Sequence, residues 1–136
     1  MIILIGGEKG GSGKSCLAQN IAVYLQNRNR DILLLDADPQ GTTTDWVKER
    51  EQNQISKTLP SVQCSGNIRQ TLIDLSKRYQ DIVIDAGNVL NALGNETKDI
   101  NHIFLTHSHA DHIADLPFII ETFFEERSSP LTIYAL

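Results

Sequence analysis

A glycine-rich loop carries the clearest chemical signal in the sequence, which reads GGEKGGSGKS over residues 6–15. Glycines let a backbone turn so that successive N–H groups point at an anion, and a following helix N-terminus favours the same ligand. Lys14 would then reach the β- and γ-phosphates of a nucleotide, and the Ser15 hydroxyl would bind Mg²⁺. The residues predicted to hold the nucleotide in this loop are Gly10, Gly11, Ser12, Gly13, Lys14, Ser15 and Cys16.

Two acidic residues extend this predicted site. Asp36 ends the apolar run DILLLD, and Asp85 ends the run DIVID. Ligands bind an open sheet at the carboxyl ends of its strands, and carboxylates suit Mg²⁺. The sequence therefore predicts binding of ATP or ADP with Mg²⁺. The alternative is a glycine-rich turn that holds no ligand, because short motifs also match by accident. The loop departs from the G-x-x-x-x-G-K-[ST] pattern at one position, where Glu8 replaces the first glycine.

A second cluster of polar residues follows a later apolar run. His107, His109, Asp111 and His112 lie within six residues of one another. Neutral imidazoles and a carboxylate are ligands for Zn²⁺, so the cluster could hold one such ion. The alternative is a solvated loop without metal, since a metal site also needs surrounding groups that orient its ligands.

The elements that must position these residues alternate between strand and helix. Apolar runs predict strands at 1–5, 31–36, 61–64, 81–85, 102–105 and 130–136. Helices are predicted at 14–27, 42–52, 67–79, 88–93 and 111–127, the last in two pieces because of Pro117. This alternation is typical of an α/β fold: a doubly wound, mainly parallel six-stranded sheet with helices on both faces, as in P-loop NTPases and Rossmann-like proteins.

Apolar spacing also predicts which side chains are buried. Leu17, Ile21 and Leu25, beside two alanines, form one face of the first helix, and Trp46 is the main apolar anchor of the second. Cys16 and Cys64 have no metal-like spacing and are predicted to be small buried residues in a reducing compartment.

Composition narrows the class of protein. The chain has 136 residues, of which 40% are hydrophobic and 21% charged, so a single globular domain over 1–136 is predicted. A net charge of −5 argues against nucleic acid or an anionic membrane as partner. The opening MIILI is too short for a signal peptide, and no stretch approaches the roughly 20 apolar residues of a membrane span, so a cytoplasmic protein is predicted.

Three motifs, KGGSGKS, LLLDADPQGTTTDW and IVIDAG, occur in one order over residues 1–87. Together they resemble the ParA/MinD family of deviant Walker A partition ATPases. The resemblance implies that Lys9 reaches the phosphates of a partner subunit in an ATP sandwich homodimer. It implies that Asp38 helps to place the attacking water, Asp36 supports the Mg²⁺ shell, and Asp85 is the acid of the second Walker motif.

Residues 82–136 resemble a different family. The segments IDAGNVLNALG and DINHIFLTHSHADHIADLPF are similar to the metallo-β-lactamase fold, nearest its cyclic-nucleotide phosphodiesterase-like members. That resemblance implies that His107 and His109 bind one metal ion, and Asp111 and His112 another. It makes a metal-dependent hydrolase the alternative function.

The two resemblances meet at residues 82–88, where one strand could serve either fold. The hypothesis that follows is an engineered chimera, with a P-loop ATPase-like half at 1–87 and a metallo-β-lactamase-like half at 88–136. Such a chain would bind nucleotide with little or no ATPase turnover. A folded chain without biological function is the third alternative.

Overall fold

The computed structural model describes residues 1–7, 11–53, 57–87, 100–106 and 129–135. Strands and helices alternate over residues 2–85, as the apolar runs predict, and two further strands follow. The elements are β1 (Ile2–Gly6), α1 (Lys14–Asn27), β2 (Ile32–Asp36), α2 (Thr42–Gln52), β3 (Ser61–Gln63), α3 (Arg69–Ser76), β4 (Asp81–Asp85), β5 (His102–Leu105) and β6 (Thr132–Ala135).

The six strands form one sheet in the order β3-β2-β4-β1-β5-β6, and every pairing in it is parallel. The predicted fold class is confirmed. Strands β1 and β4 are central neighbours, with Ile5 opposite Asp85, and β2 lies on the other side of β4, with Asp36 opposite Asp85. All carboxyl ends therefore lie at one edge, which we call the carboxyl edge.

Helices cover both faces of the sheet, because its central strands are apolar on both sides. Ala18 and Ala22 of α1 and Val47 of α2 pack on one face. Ile68 and Leu72, at the start of α3 and within it, pack on the other. None of the described helices has the length and apolar character needed to cross a membrane.

The apolar anchors differ in part from the prediction. Ala18 and Ala22 are fully buried, since small side chains let a helix lie close to a sheet, while the predicted Leu17, Ile21 and Leu25 are only partly buried beside them. Val47 is buried on α2, and Trp46, one position around the helix, is only partly buried. The prediction for the cysteines was wrong for Cys16, which is exposed because it points away from the alanine face.

Element ends also differ. The helix predicted at 67–79 spans only Arg69–Ser76, and the Asn67 side chain accepts a hydrogen bond from the backbone N–H of Arg69 at 3.0 Å just before it. The strand predicted at 130–136 spans Thr132–Ala135. The helices predicted at 88–93 and 111–127 lie outside the described residues.

At the opposite end of β4, Asp81 joins the sheet to the segment between α1 and β2. Arg30 donates two hydrogen bonds to this fully buried carboxylate, Nε to Oδ2 at 2.5 Å and Nη2 to Oδ1 at 2.8 Å. The Arg30 guanidinium holds the pKa of Asp81 below its ordinary value. This bidentate pair stabilises the edge of the sheet at which the strands begin, which we call the amino edge.

Candidate functional site

The loop from β1 to α1 is built on glycines in the left-handed region. Gly11 has φ 73° and Gly13 has φ 84°, and Gly13 directly precedes α1. A Cβ atom at either position would meet nothing within 4 Å, so backbone conformation rather than space requires glycine there. Residues 8–10, which include Lys9 and Gly10, lie outside the described part of the chain.

Lys14 and Ser12 lie at the carboxyl edge, and the residue that follows β5 contacts Ser12 there. Lys14 is only 7% exposed, and its Nζ lies 3.5 Å from Ser12 Oγ. Thr106, which follows β5, donates a hydrogen bond to the same Ser12 Oγ at 3.0 Å. A Cβ atom at Gly7 would lie 3.2 Å from Thr106 Oγ1, so β1 and β5 approach closely here. Ser12 is therefore held from two directions.

Asp85, at the end of β4, is fully buried beside this loop. Its Oδ2 accepts a 2.6 Å hydrogen bond from the Thr43 hydroxyl, whose oxygen accepts one from Gln19 Nε2 at 3.1 Å. Its Oδ1 is buried and has no hydrogen-bond partner among the described residues. Half of this carboxylate is therefore anchored, and the other half is left without a donor.

The electrostatic surroundings of Asp85 oppose its ionisation. Burial raises the pKa of Asp85, and the nearby Asp36 and Asp38 carboxylates raise it further. The hydroxyls of Thr43 and Ser15 act in the other direction and lower this pKa. A cation at this position would remove the unfavourable interactions among the three acids.

Asp36, at the end of β2, is buried but fully engaged. Its Oδ1 accepts the backbone N–H of Asp38 at 3.1 Å, and its Oδ2 accepts both the N–H and the hydroxyl of Thr44, at 2.7 and 2.9 Å. Helix α2 begins after Gly41, which supplies no side-chain cap. Asp36 therefore caps α2 from the neighbouring strand, where the helix dipole favours a negative charge.

Asp38 lies in the turn between β2 and α2. Its Oδ1 accepts the backbone N–H of Gln40 at 2.9 Å, and the turn closes with Gly41 N–H on the Asp38 carbonyl at 3.0 Å. A Cβ atom at Gly87 would lie 3.1 Å from Asp38 Oδ2. The glycine after β4 thus makes room for this carboxylate at the carboxyl edge.

The structure brings together at this edge Gly11, Ser12, Gly13, Lys14, Ser15, Asp36, Asp38 and Asp85. Cys16 is on the first turn of α1, with its sulfur 3.5 Å from Asn20 Nδ2 on the exposed side. The predicted zinc ligands, residues 107–112, lie outside the described part, so the single-Zn²⁺ site and the hydrolase alternative stay predictions. Within the described ranges, no three His, Cys, Asp or Glu side chains form a group that could by itself hold a metal ion.

Sequence reasoning missed the hydroxyl groups that support the acids. Thr43, Thr44 and Thr106 each donate to a residue of the predicted site. The run of threonines that begins α2 was the available signal, because hydroxyl side chains at a helix start commonly bond to neighbouring groups. Nothing local in the sequence indicates which acid each threonine contacts.

The sequence matches a known family over nearly its whole length. The family described as "CobQ/CobB/MinD/ParA nucleotide binding domain" matches residues 3–132. The chromosome-partitioning ATPase Soj of Thermus thermophilus is 34% identical over 64 residues, which cover 47% of this chain and 26% of that protein. Protein MobD of Acidithiobacillus ferrooxidans is 30% identical over 100 residues, 74% of this chain and 40% of that protein. The chain thus spans less than half the length of these relatives.

Solved structures share the fold. A structure of FlhF complexed with GTP/Mg²⁺ superposes with a TM-score of 0.57 at 19% identity, over 96% of this chain and 52% of that one. The MinD cell division protein of Aquifex aeolicus gives a TM-score of 0.56 at 17% identity, over 97% of this chain and 67% of that one.

The comparisons bear directly on the two resemblances. The match at residues 3–132 includes the proposed junction at 82–88. The ParA/MinD resemblance is confirmed, whereas the metallo-β-lactamase resemblance and the chimera hypothesis gain no support. The chain belongs to the CobQ/CobB/MinD/ParA nucleotide-binding domain family.

Proposed function

We propose that this chain binds ATP or ADP, together with Mg²⁺, at the carboxyl edge of its sheet. The observation that carries the proposal is the Asp85 carboxylate, which is fully buried and has one oxygen without a hydrogen-bond partner among the described residues. A buried charged oxygen without a partner is costly, so such atoms commonly mark a site completed by a ligand.

The groups around Asp85 fit a magnesium ion. Mg²⁺ is commonly held by one or two carboxylates, with waters and phosphate oxygens completing its shell. Ser15 and Asp85 are the residues proposed to hold it, with Asp36 supporting the site through the start of α2. When bound, the ion would neutralise negative charge on the phosphates.

The phosphates themselves are proposed to lie against the start of α1. Gly11 and Gly13 give the loop its left-handed turns, and the N-terminus of the helix favours an anion. Lys14 is nearly buried at this point, so its ammonium group would interact with a phosphate in surroundings of low dielectric. We expect weak discrimination between adenine and guanine, since none of the described site groups is placed to distinguish bases.

Hydrolysis is proposed to be slow in the isolated chain. By the family resemblance, Asp38 would place the attacking water and Lys9 would come from the partner in a homodimer. In this structure Asp38 Oδ1 already accepts the Gln40 N–H, so the group is engaged in its own turn. We expect phosphate release close to background, and steady release that disappears in Asp38→Ala would contradict this part of the proposal.

Isothermal titration calorimetry with ATP and with GTP, each with Mg²⁺, tests the binding proposal. We expect both nucleotides to bind, and Lys14→Ala to weaken binding by more than about tenfold, because a charged hydrogen bond is lost. The matched control is Lys48→Ala, which removes an exposed lysine paired with Asp45 on α2. The proposal would be overturned if neither nucleotide gave a heat signal. It would also be overturned if Lys14→Ala and Lys48→Ala bound nucleotide with equal affinity.

A further inference from the structure

Three side chains from three elements form a hydrogen-bonded chain that ends on Asp85. Gln19 on α1 donates from Nε2 to Thr43 Oγ1 at 3.1 Å, and Thr43 on α2 donates to Asp85 Oδ2 at 2.6 Å. Thr43 and Asp85 are both fully buried. The chain links the helix that carries the phosphate loop to the strand that carries the acid.

The direction of this chain is fixed by the chemistry of its members. An amide N–H can only donate, so the Thr43 oxygen accepts there and its single proton is directed to the carboxylate. The opposite order would require a proton on Asp85 Oδ2. When Asp85 is ionised, the hydrogen bond from Gln19 therefore leaves the Thr43 hydroxyl proton to be donated to Asp85 Oδ2.

The backbone of Thr43 is held in place independently. The next residue, Thr44, donates its N–H and its hydroxyl to Asp36 Oδ2 at 2.7 and 2.9 Å. Asp36 and Asp85 are direct neighbours in the register of β2 and β4. Two successive threonines thus serve two neighbouring acids, and the start of α2 cannot shift without breaking contacts to both.

We propose that Thr43 is a positioning residue for the Mg²⁺ of the nucleotide site: by holding Asp85 Oδ2, it keeps Asp85 Oδ1 available to the ion. This inference rests on the proposed function. Without the Thr43 hydroxyl, the carboxylate would lose its one strong donor and could turn, so either oxygen could move away from Ser15. Groups that orient a metal-binding carboxylate typically change metal affinity by about 10- to 100-fold when removed.

The test compares the affinity for ATP in Mg²⁺ with the affinity in EDTA, both by calorimetry. We expect Mg²⁺ to tighten ATP binding in the wild-type chain. In Thr43→Val, which replaces the hydroxyl with a methyl group, this gain should fall by about tenfold while the affinity in EDTA is unchanged. Thr43→Ser should restore the gain. Thr42→Val, a change at the exposed neighbouring threonine, is the matched control and should behave as wild type.

The outcomes separate this inference from the function on which it rests. No ATP binding by the wild-type chain in either buffer would overturn the proposed function. ATP binding with a full Mg²⁺ gain in folded Thr43→Val would overturn the role of Thr43 alone. If Thr43→Val does not fold, Gln19→Met carries the test: a smaller loss of the Mg²⁺ gain is expected, and an undiminished gain would contradict the inference.

Discussion

Strand β4 begins and ends with a fully buried aspartate, and the fold treats the two carboxylates in opposite ways. Asp81, at the amino edge, receives two hydrogen bonds from Arg30, which lower its pKa. Asp85, at the carboxyl edge, receives one from Thr43 and forms no ion pair with any residue the structure describes, and burial raises its pKa. The two side chains are chemically identical, so the difference comes from their surroundings.

This difference separates a stabilising end of the sheet from a functional end. The pair at the amino edge ties β4 to the segment that follows α1 and leaves no carboxylate oxygen unsatisfied. The carboxyl edge keeps a buried negative charge that is unfavourable in the absence of a cation, as ligand sites often do. Asp36, at the same edge, is satisfied by three donors, so of these two buried acids only Asp85 has an oxygen without a partner among the described residues.

The largest expected effect is at the amino edge. Asp81→Asn removes the negative charge but keeps the shape, so the Arg30 hydrogen bonds lose their charged acceptor. We expect the free energy of unfolding to fall by about 2 kcal/mol, as for loss of a hydrogen bond to a charged group. Urea denaturation followed by circular dichroism measures it. An unchanged midpoint would show that the pair contributes nothing to stability.

The same pair predicts a pH dependence with a definite sign. Because the pKa of Asp81 is lowered by folding, its stabilisation is fully present above the ordinary carboxyl pKa of about 3.9 and is lost as pH falls through the lowered value. The stability difference between wild type and Asp81→Asn should therefore be constant near neutral pH and shrink in acid. A difference that grew on acidification would contradict this account.

A smaller effect on the free energy of unfolding is expected at Asp36. Thr44→Val removes the hydroxyl donor to Asp36 Oδ2 but leaves the backbone N–H bond that caps α2. We expect a loss of about 1 kcal/mol in the free energy of unfolding, with an unchanged gain in ATP affinity from Mg²⁺. A loss of the Mg²⁺ gain as large as in Thr43→Val would show that the two threonines do not serve separate acids.

The smallest effect on stability, and of opposite sign, is expected at Asp85. Asp85→Asn removes a buried charge that forms no ion pair with the described residues, so at neutral pH the unliganded chain should be as stable as wild type or slightly more stable. Since the pKa of Asp85 is raised by folding, its ionisation destabilises the chain above that pKa, and the cost is relieved as pH falls through it. The advantage of Asp85→Asn should therefore disappear in acid. Destabilisation at neutral pH, comparable to Asp81→Asn, would remove the contrast.

The acids that end the strands at the site were predictable from sequence, whereas the hydrogen bonds among the side chains of the site were not. Asp36 and Asp85 were found because buried parallel strands are continuous apolar runs, so an acid that ends such a run stands out. The Thr43–Asp85 and Thr106–Ser12 hydrogen bonds join residues 42 and 94 positions apart. Contacts at such separations depend on strand order and on side-chain rotamers, which no local pattern encodes.

The burial of individual helix residues was harder to predict, because it depends on how each helix packs against the sheet. The sequence predicted the bounds of α1 and α2 correctly, yet it could not show that the alanines are the most buried residues of α1 or that Val47 is more buried than Trp46. Those choices depend on how closely each helix approaches the strands, and large side chains then move to the flanks.

We propose above all that the Asp85 side of the carboxyl edge holds the metal of a bound nucleotide. A crystal structure of the chain with ATP and Mn²⁺ in place of Mg²⁺, analysed by anomalous scattering, tests it most directly. We predict one manganese peak beside Ser15 and the Oδ1 side of Asp85, with the phosphates against Lys14. Nucleotide bound with manganese at another place, or an Asp85 Oδ1 that stays unpartnered while the metal lies elsewhere, would contradict the account.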